Sequence, residues 1–99
     1  MAYRLTRRAR EDLVDLYVEG VGTYGVDRAE AYHARLAHVF ALLADNPHMA
    51  RERSEIIPPV RVHPCGTHVV IYIVEASGDI LVVGVRHARE DWIDDPLGG

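Results

Sequence analysis

The chain has 99 residues, 48% of them apolar and 26% charged, with a net charge of −4. That length is one domain with one core, able to bury about two-thirds of the unfolded surface, and the composition is globular, not disordered. The acidic total argues against broad phosphate-backbone binding, the lone Cys65 rules out an internal disulfide, and the longest nearly apolar run, residues 69–74, is far too short to span a bilayer.

The opening Ala2-Tyr3-Arg4-Leu5 carries no apolar run of the secretory kind, so the cytoplasm is the expected location. All eleven basic residues are arginine. They cluster early, at Arg4, Arg7, Arg8 and Arg10, whereas Glu90, Asp91, Asp94 and Asp95 make the C-terminal stretch acidic.

Residues 3–6 read as a short strand, with Thr6 at a helix N-cap position. From Arg7 a helix follows, with Ala9, Leu13, Leu16, Tyr17 and Gly20 on one face at spacings of three and four. Gly20, Gly22 and Gly25 predict its end, and Gly22-Thr23-Tyr24-Gly25 a loop. A second helix is predicted to start at Asp27, where Asp27 and Glu30 have capping-box spacing and Val26 a staple position. Ala29, Tyr32, Leu36, Val39, Phe40 and Leu43 form its apolar stripe, and Asn46-Pro47 stops it after about 27 Å. The two helices form an antiparallel hairpin. Residues 48–59 are polar, end in Pro58-Pro59, and read as a loop or a short helical turn. Residues 60–63, 67–74 and 80–87 are rich in valine and isoleucine, are joined by short Gly-containing links, and predict an antiparallel meander.

The order is therefore β-α-α-β-β-β, an α+β fold with a helical hairpin packed on an antiparallel sheet. It spans residues 1–99 as one domain, with a short tail from about residue 90. Alternation raises a question. Val69, Ile71 and Ile73 share one face and Val70, Tyr72 and Val74 the other, while Leu81, Val83 and Val85 oppose Ile80 and Val82. Both faces are apolar, and one hairpin covers one face. Either the tail, through Trp92, Ile93 and Leu97, or a partner protein laid into a groove must cover the second.

Three groups could carry chemistry. His63, Cys65 and His68 are the one Cys/His cluster, but they lack a second Cys/His pair and match no strong zinc pattern, so no metal or other cofactor is expected. Arg61, His63, His68, Arg86, His87 and Arg89 lie at strand ends, where histidine plus arginine suits acid–base work and phosphate stabilisation. Arg86 falls on the strand face of Ile80, Val82 and Gly84, so its charge must emerge or be paired. The Arg7-Arg8-Ala9-Arg10 stretch opposes the helix dipole at a cost of roughly a few tenths of a kcal/mol per charge. It reads as a solvated face or a contact for nucleic acid or an acidic partner, a signal that Glu11 and Asp12 dilute.

Tyr3-Arg4-Leu5-Thr6-Arg7-Arg8-Ala9 with Asp12-Leu13 resembles the opening of ParE-type toxins of the RelE/ParE toxin–antitoxin superfamily. So do Asn46-Pro47-His48-Met49, the strand Gly66-Thr67-His68-Val69-Val70-Ile71-Tyr72, and Ile80 through Arg89 with Asp91 behind it. The order and spacing of these pieces cover nearly the whole chain. The resemblance implies the same βααβββ fold. It further implies a toxin that inhibits DNA gyrase, is silenced by a ParD-like antitoxin in a hetero-oligomer, and reaches operator DNA only through that antitoxin, with no membrane role. Toxicity candidates are Arg61, His68, Arg86, His87 and Arg89; groove candidates for the antitoxin are Leu13, Leu16, Tyr17, Leu36 and Tyr72. The RelE branch cleaves messenger RNA on the ribosome. On that alternative His68, Arg86 and His87 are catalytic and Arg61 binds phosphate. The nuclease set is incomplete here, with His68 where RelE-like enzymes tend to carry arginine, so gyrase inhibition without catalytic residues is favoured. A non-toxic binding module or corepressor is the third reading.

Overall fold

Thr6 divides the first strand from the first helix. Its backbone is extended and its hydroxyl accepts from the Ala9 N–H, so β1 (Tyr3–Leu5) turns directly into α1 (Arg7–Tyr24) at a side-chain cap. The remaining elements are α2 (Val26–Asp45), β2 (Glu52–Arg53), β3 (Val60–Cys65), β4 (His68–Val74) and β5 (Ile80–His87). The computed structural model describes residues 2–97; Met1, Gly98 and Gly99, the ends of the predicted 1–99 domain, lie outside the described residues.

The link between the helices is one residue, not the predicted loop. The first helix runs through Gly20 and Gly22 as far as Tyr24. Gly25 then does two jobs at φ 89°: its N–H donates to the Val21 carbonyl (3.0 Å), and its own carbonyl accepts from the Ala29 N–H (3.1 Å). Only glycine adopts that backbone without strain. Because the helix starts at Val26, the predicted capping box does not form. Gly25 is the cap, and Asp27 lies in the first turn, where its charge suits the positive end of the dipole. The far end is as predicted: Asn46 donates from its backbone N–H and its side chain to the Leu42 carbonyl, and Pro47 follows.

The strands form one sheet in the order β1-β5-β4-β3-β2. The meander β3-β4-β5 is antiparallel as predicted. The sheet as a whole is mixed, because β1 adds to the free edge of β5 in parallel, pairing Leu5 with Val82. β2 pairs with β3 inside the segment read as a loop. It holds only Glu52 and Arg53, too short and too polar to show an alternating pattern.

A bulge corrects the face assignment. Ile71 pairs with Gly84 but Tyr72 with Val82, so Val83 has no partner in the ladder. One extra residue reverses the alternation beyond it. Val85 therefore joins Ile80 and Val82 in the helix-side core instead of opposing them, and Arg86 pairs across from Val69 rather than sharing the face of Ile80 and Val82.

Two cores result. On the helix side Ala9, Leu36, Val39, Phe40 and Leu43 pack against Val70, Tyr72, Ile80, Val82 and Val85. On the other face Ile71, Val83 and Val60 are closed by Trp92 and Ile56. The chain thus covers the centre of its own second face, by one tail residue and by one residue of the 48–59 segment that the pattern did not mark. Arg53 stacks its guanidinium over the Trp92 ring at 5.9 Å. Trp92 is 5% exposed, whereas Ile93 and Leu97, predicted to help, are 47% and 43% exposed.

Trp92→Ala should therefore cost about 3 kcal/mol in a urea titration. Ile93→Ala should cost under about 1 kcal/mol, as for a surface change.

Candidate functional site

On the helix side of the sheet, beyond the core, a cleft of about 1070 Å³ opens between the helical hairpin and the ends of β4 and β5. Its walls are α1, through Arg8, Asp12, Asp15, Leu16 and Glu19, and α2, through Arg28, Ala29, Tyr32 and Arg35. Gly66, Thr67, His68 and His87 come from the sheet.

Tyr32 ties the wall to the sheet. Its hydroxyl donates to the Cys65 carbonyl (2.9 Å) and lies 2.7 Å from Nδ1 of His68. A hydroxyl has one proton. The Tyr32 hydroxyl reaches both the Cys65 carbonyl and Nδ1 of His68, and Nδ1 also lies 3.3 Å from the Thr67 hydroxyl, so the imidazole tautomer decides which of these bonds takes the proton. The approach depends on Gly66, which turns the chain between β3 and β4 at φ 59°. A Cβ there would sit 2.7 Å from the Tyr32 oxygen. Tyr32, His68 and His87 then follow in a row, with ring centroids 5.5 and 5.4 Å apart.

This environment sets the charge states. Burial holds the His68 pKa below its ordinary value, and the neighbouring His87 adds to this, against an opposing pull from Glu19 and Glu90. Burial likewise pushes up the Tyr32 hydroxyl and the Cys65 thiol. Neither is an activated nucleophile, since a raised thiol pKa keeps the thiolate scarce.

Of the predicted toxicity residues, the fold brings His68 and His87 together, in paired register at the ends of β4 and β5. Arg89 is exposed just beyond, its N–H donating to Nδ1 of His87 (3.1 Å). Arg86 lines the same cleft but is engaged there by Glu90, with its Nε 2.7 Å from the carboxylate. Arg61 lies on β3 and donates to the Ala50 carbonyl (2.6 Å). His63 and Cys65 do not build a metal site with His68: among the described residues, no group of three or more His, Cys, Asp or Glu side chains is placed to hold a metal ion.

The groove candidates divide differently. Leu36 and Tyr72 are fully buried in the core, with the Tyr72 hydroxyl donating to the Pro47 carbonyl (2.9 Å), so neither offers a surface. Leu13 and Leu16 are half-buried against that core, and Tyr17 packs edge-on to His33. Only Leu16 of the five lines the cleft.

The basic N-terminal cluster is largely consumed locally. Arg7 pairs with Glu11 (3.3 Å), Arg8 with Asp12 (2.8 Å), and Arg10 donates to the Leu5 carbonyl (3.0 Å). The other Asp12 oxygen accepts the Val85 N–H (3.1 Å), which fastens α1 along β5 past the end of β1. Tyr32, Gly66 and Asp12 were not legible as site residues. Tyr32 counts in the sequence as one more member of an apolar stripe, and its single hydroxyl is the signal that could have marked it.

A family profile described as "ParE toxin of type II toxin-antitoxin system, parDE" matches residues 3–92. Among curated relatives, Toxin ParE1 of Mycobacterium tuberculosis is 36% identical over 89 residues, covering 90% of this chain and 91% of that one. Toxin ParE1 of Caulobacter vibrioides is 32% identical, with 82% and 84% covered, and Toxin ParE of Escherichia coli 31%, with 91% and 87% covered. A solved structure described as "Chromosomal ParDE TA system from P. aeruginosa" superposes with a TM-score of 0.76 over 88% of this chain and 95% of its own, at 19% identity. The fold is therefore shared with a toxin–antitoxin component. The chain belongs to the ParE toxin family of parDE type II toxin–antitoxin systems.

Two outcomes follow from the Tyr32–His68 geometry. Gly66→Ala places a side chain in left-handed backbone and against Tyr32, and should destabilise the fold by about 1–2 kcal/mol in denaturant titrations. His68 is easier to protonate in the unfolded chain than in the fold. The stability it contributes is thus complete above the unfolded value of about 6.5 and is lost as pH falls toward the lower folded value. His68→Gln should remove that share of the pH dependence, read as a flatter plot of unfolding free energy below about pH 7.

Proposed function

We propose that the chain, acting in the cytoplasm as a single toxin domain over residues 1–99, arrests growth by inhibiting DNA gyrase. A ParD-like antitoxin holds it silent in a hetero-oligomer, and operator DNA is reached only through that antitoxin. The observation that carries this reading is the ParE match over residues 3–92, which takes in every strand and both helices. The exposed end of β5, with His87 and Arg89 beside His68, is the surface we assign to the target; Arg61 and Arg86 are candidates of lower rank because backbone and carboxylate partners occupy them. A segment of the antitoxin occupies the cleft between hairpin and sheet. Among the described residues, no helix is long and apolar enough to cross a membrane.

The ribonuclease reading finds less support. His68 and His87 are adjacent, but Arg86, the cation it needs beside them, is neutralised by Glu90. The acidic residues of the α1 wall also oppose a polyanion.

Purified free protein should inhibit supercoiling by gyrase and leave transcripts in arrested cells intact. Normal supercoiling at excess protein rejects the mechanism, and cut transcripts support the nuclease. A protein that neither arrests growth nor inhibits gyrase while its complex still represses the operon is a corepressor. The double change H87A/R89A should weaken gyrase inhibition about tenfold, the equivalent of about 1.4 kcal/mol, with the fold retained in circular dichroism, since both side chains are exposed.

A further inference from the structure

The two helical walls of the cleft carry opposite charge. Asp15 and Glu19 line it from α1, and Arg28 and Arg35 from α2. All four are exposed, and none makes an ion pair or a side-chain hydrogen bond among the described residues. Arg8 and Asp12, also in the α1 wall, neutralise each other. Between the charged rims lie small and apolar groups, Leu16 and Ala29, with Tyr32 beside them. A cleft lined by unpaired acidic residues from one helix and unpaired basic residues from the other suits neither a polyanion nor a polycation, because one set always repels it.

The occupant is not an added strand. β1 covers the start of β5, Asp12 already takes the Val85 N–H, and β2 covers the start of β3. The edges nearest the cleft are thus largely occupied, which disfavours strand addition. A volume of about 1070 Å³ accommodates roughly two turns of a helix about 10 Å across.

We propose that the cleft receives a helical segment of a partner protein whose apolar ridge is flanked by basic residues on one side and acidic residues on the other. The basic flank lies along Asp15 and Glu19, and the acidic flank along Arg28 and Arg35. This rests on the antitoxin reading above and specifies the chemistry of the segment it requires. It also fixes direction: turned end for end, the same segment sets like charges against each wall. Asp15, Glu19, Arg28 and Arg35 are then the residues by which this toxin selects its antitoxin, a role set by rim charges more than by the buried ridge.

Three synthetic helical peptides with one leucine–alanine ridge test it on the full-length protein by fluorescence anisotropy at low ionic strength. One carries lysine on one flank and glutamate on the other, one lysine on both, one glutamate on both. The mixed peptide should bind about tenfold more tightly than either uniform peptide, from several few-fold ion pairs, and the advantage should shrink as salt rises. In R28E/R35E both walls are acidic, so the all-lysine peptide should bind best. In D15R/E19R the all-glutamate peptide should. These side chains are exposed and make no ion pair or side-chain hydrogen bond among the described residues, and unchanged circular dichroism confirms that the variants fold. Equal binding of the three peptides, no binding of the mixed one, or tighter binding of a single-stranded RNA oligomer overturns the proposal. The antitoxin reading fails separately, if the product of the neighbouring gene does not neutralise the toxin while the peptide ranking still holds.

Discussion

The middle strands of the sheet are apolar on both sides, and most of the architecture answers that constraint. Val70, Tyr72, Val82 and Val85 face the helices; Ile71 and Val83 face away. A large apolar side chain gains about 1.5–3 kcal/mol when removed from water, so neither face can be left open in a domain of this size. The helical hairpin covers the first. The second is closed by two residues from segments with no regular structure of any length, Ile56 and Trp92. Ordering those segments is therefore bound to the core itself. Arg53 over the Trp92 ring and Arg86 on Glu90 hold the tail in the position that Trp92 needs.

The same covering creates the cleft. One glycine joins the helices, so their relative position is set by backbone geometry and not by a flexible loop. Thr6 and Asp12 then fix α1 to β5 from two points along its edge, through the Val82 carbonyl and the Val85 N–H. α2 is fixed at its own N-terminal half by Tyr32, which reaches the β3–β4 turn where Gly66 leaves room for the ring. With both helices anchored, the cleft that they line with the ends of β4 and β5 stays open. Among the described residues Asp15 and Glu19 make no ion pair, although Arg28 and Arg35 line the same cleft.

The fold was largely legible in the sequence because periodicity reports burial. The stripes of α1 and α2, the Thr6 cap, the Asn46-Pro47 stop and the meander all follow from it. The errors have local causes. Three glycines within six residues signal a loop, yet two of them lie inside the helix, where tertiary packing overrides a propensity cost of about 1 kcal/mol each. The bulge at Val83 leaves no mark in a run of valines, so the faces of Val85 and Arg86 were assigned in reverse. Ile56 sits among polar residues and prolines with no period to reveal its burial. The site was less legible than the fold. His68 and His87 become neighbours only through strand register, and Tyr32 acquires its role only because a glycine 34 positions away makes space for it.

Arginine usage connects the fold to recognition. With lysine absent, every fixed positive charge is a planar guanidinium, suited to paired contacts at defined angles. Much of that capacity is used internally. Arg4 pairs with Glu75, Arg7 with Glu11, Arg8 with Asp12, Arg53 with Glu55 and Arg86 with Glu90. A toxin with a net charge of −4 and its cations so engaged cannot rely on a broad positive field to find or hold its partners. On the reading proposed above, recognition falls to charges without a partner among the described residues: Arg28, Arg35, Asp15 and Glu19 in the cleft, and Arg89 beside His87 at the end of β5. Trp92 and Ile56 close the centre of the second sheet face, while Val62, Val69, Ile73 and Leu81 around them remain partly exposed. The cleft on the helix side, lined by Asp15, Glu19, Arg28 and Arg35 without ion pairs among the described residues, is the surface on which the proposed antitoxin contact would draw.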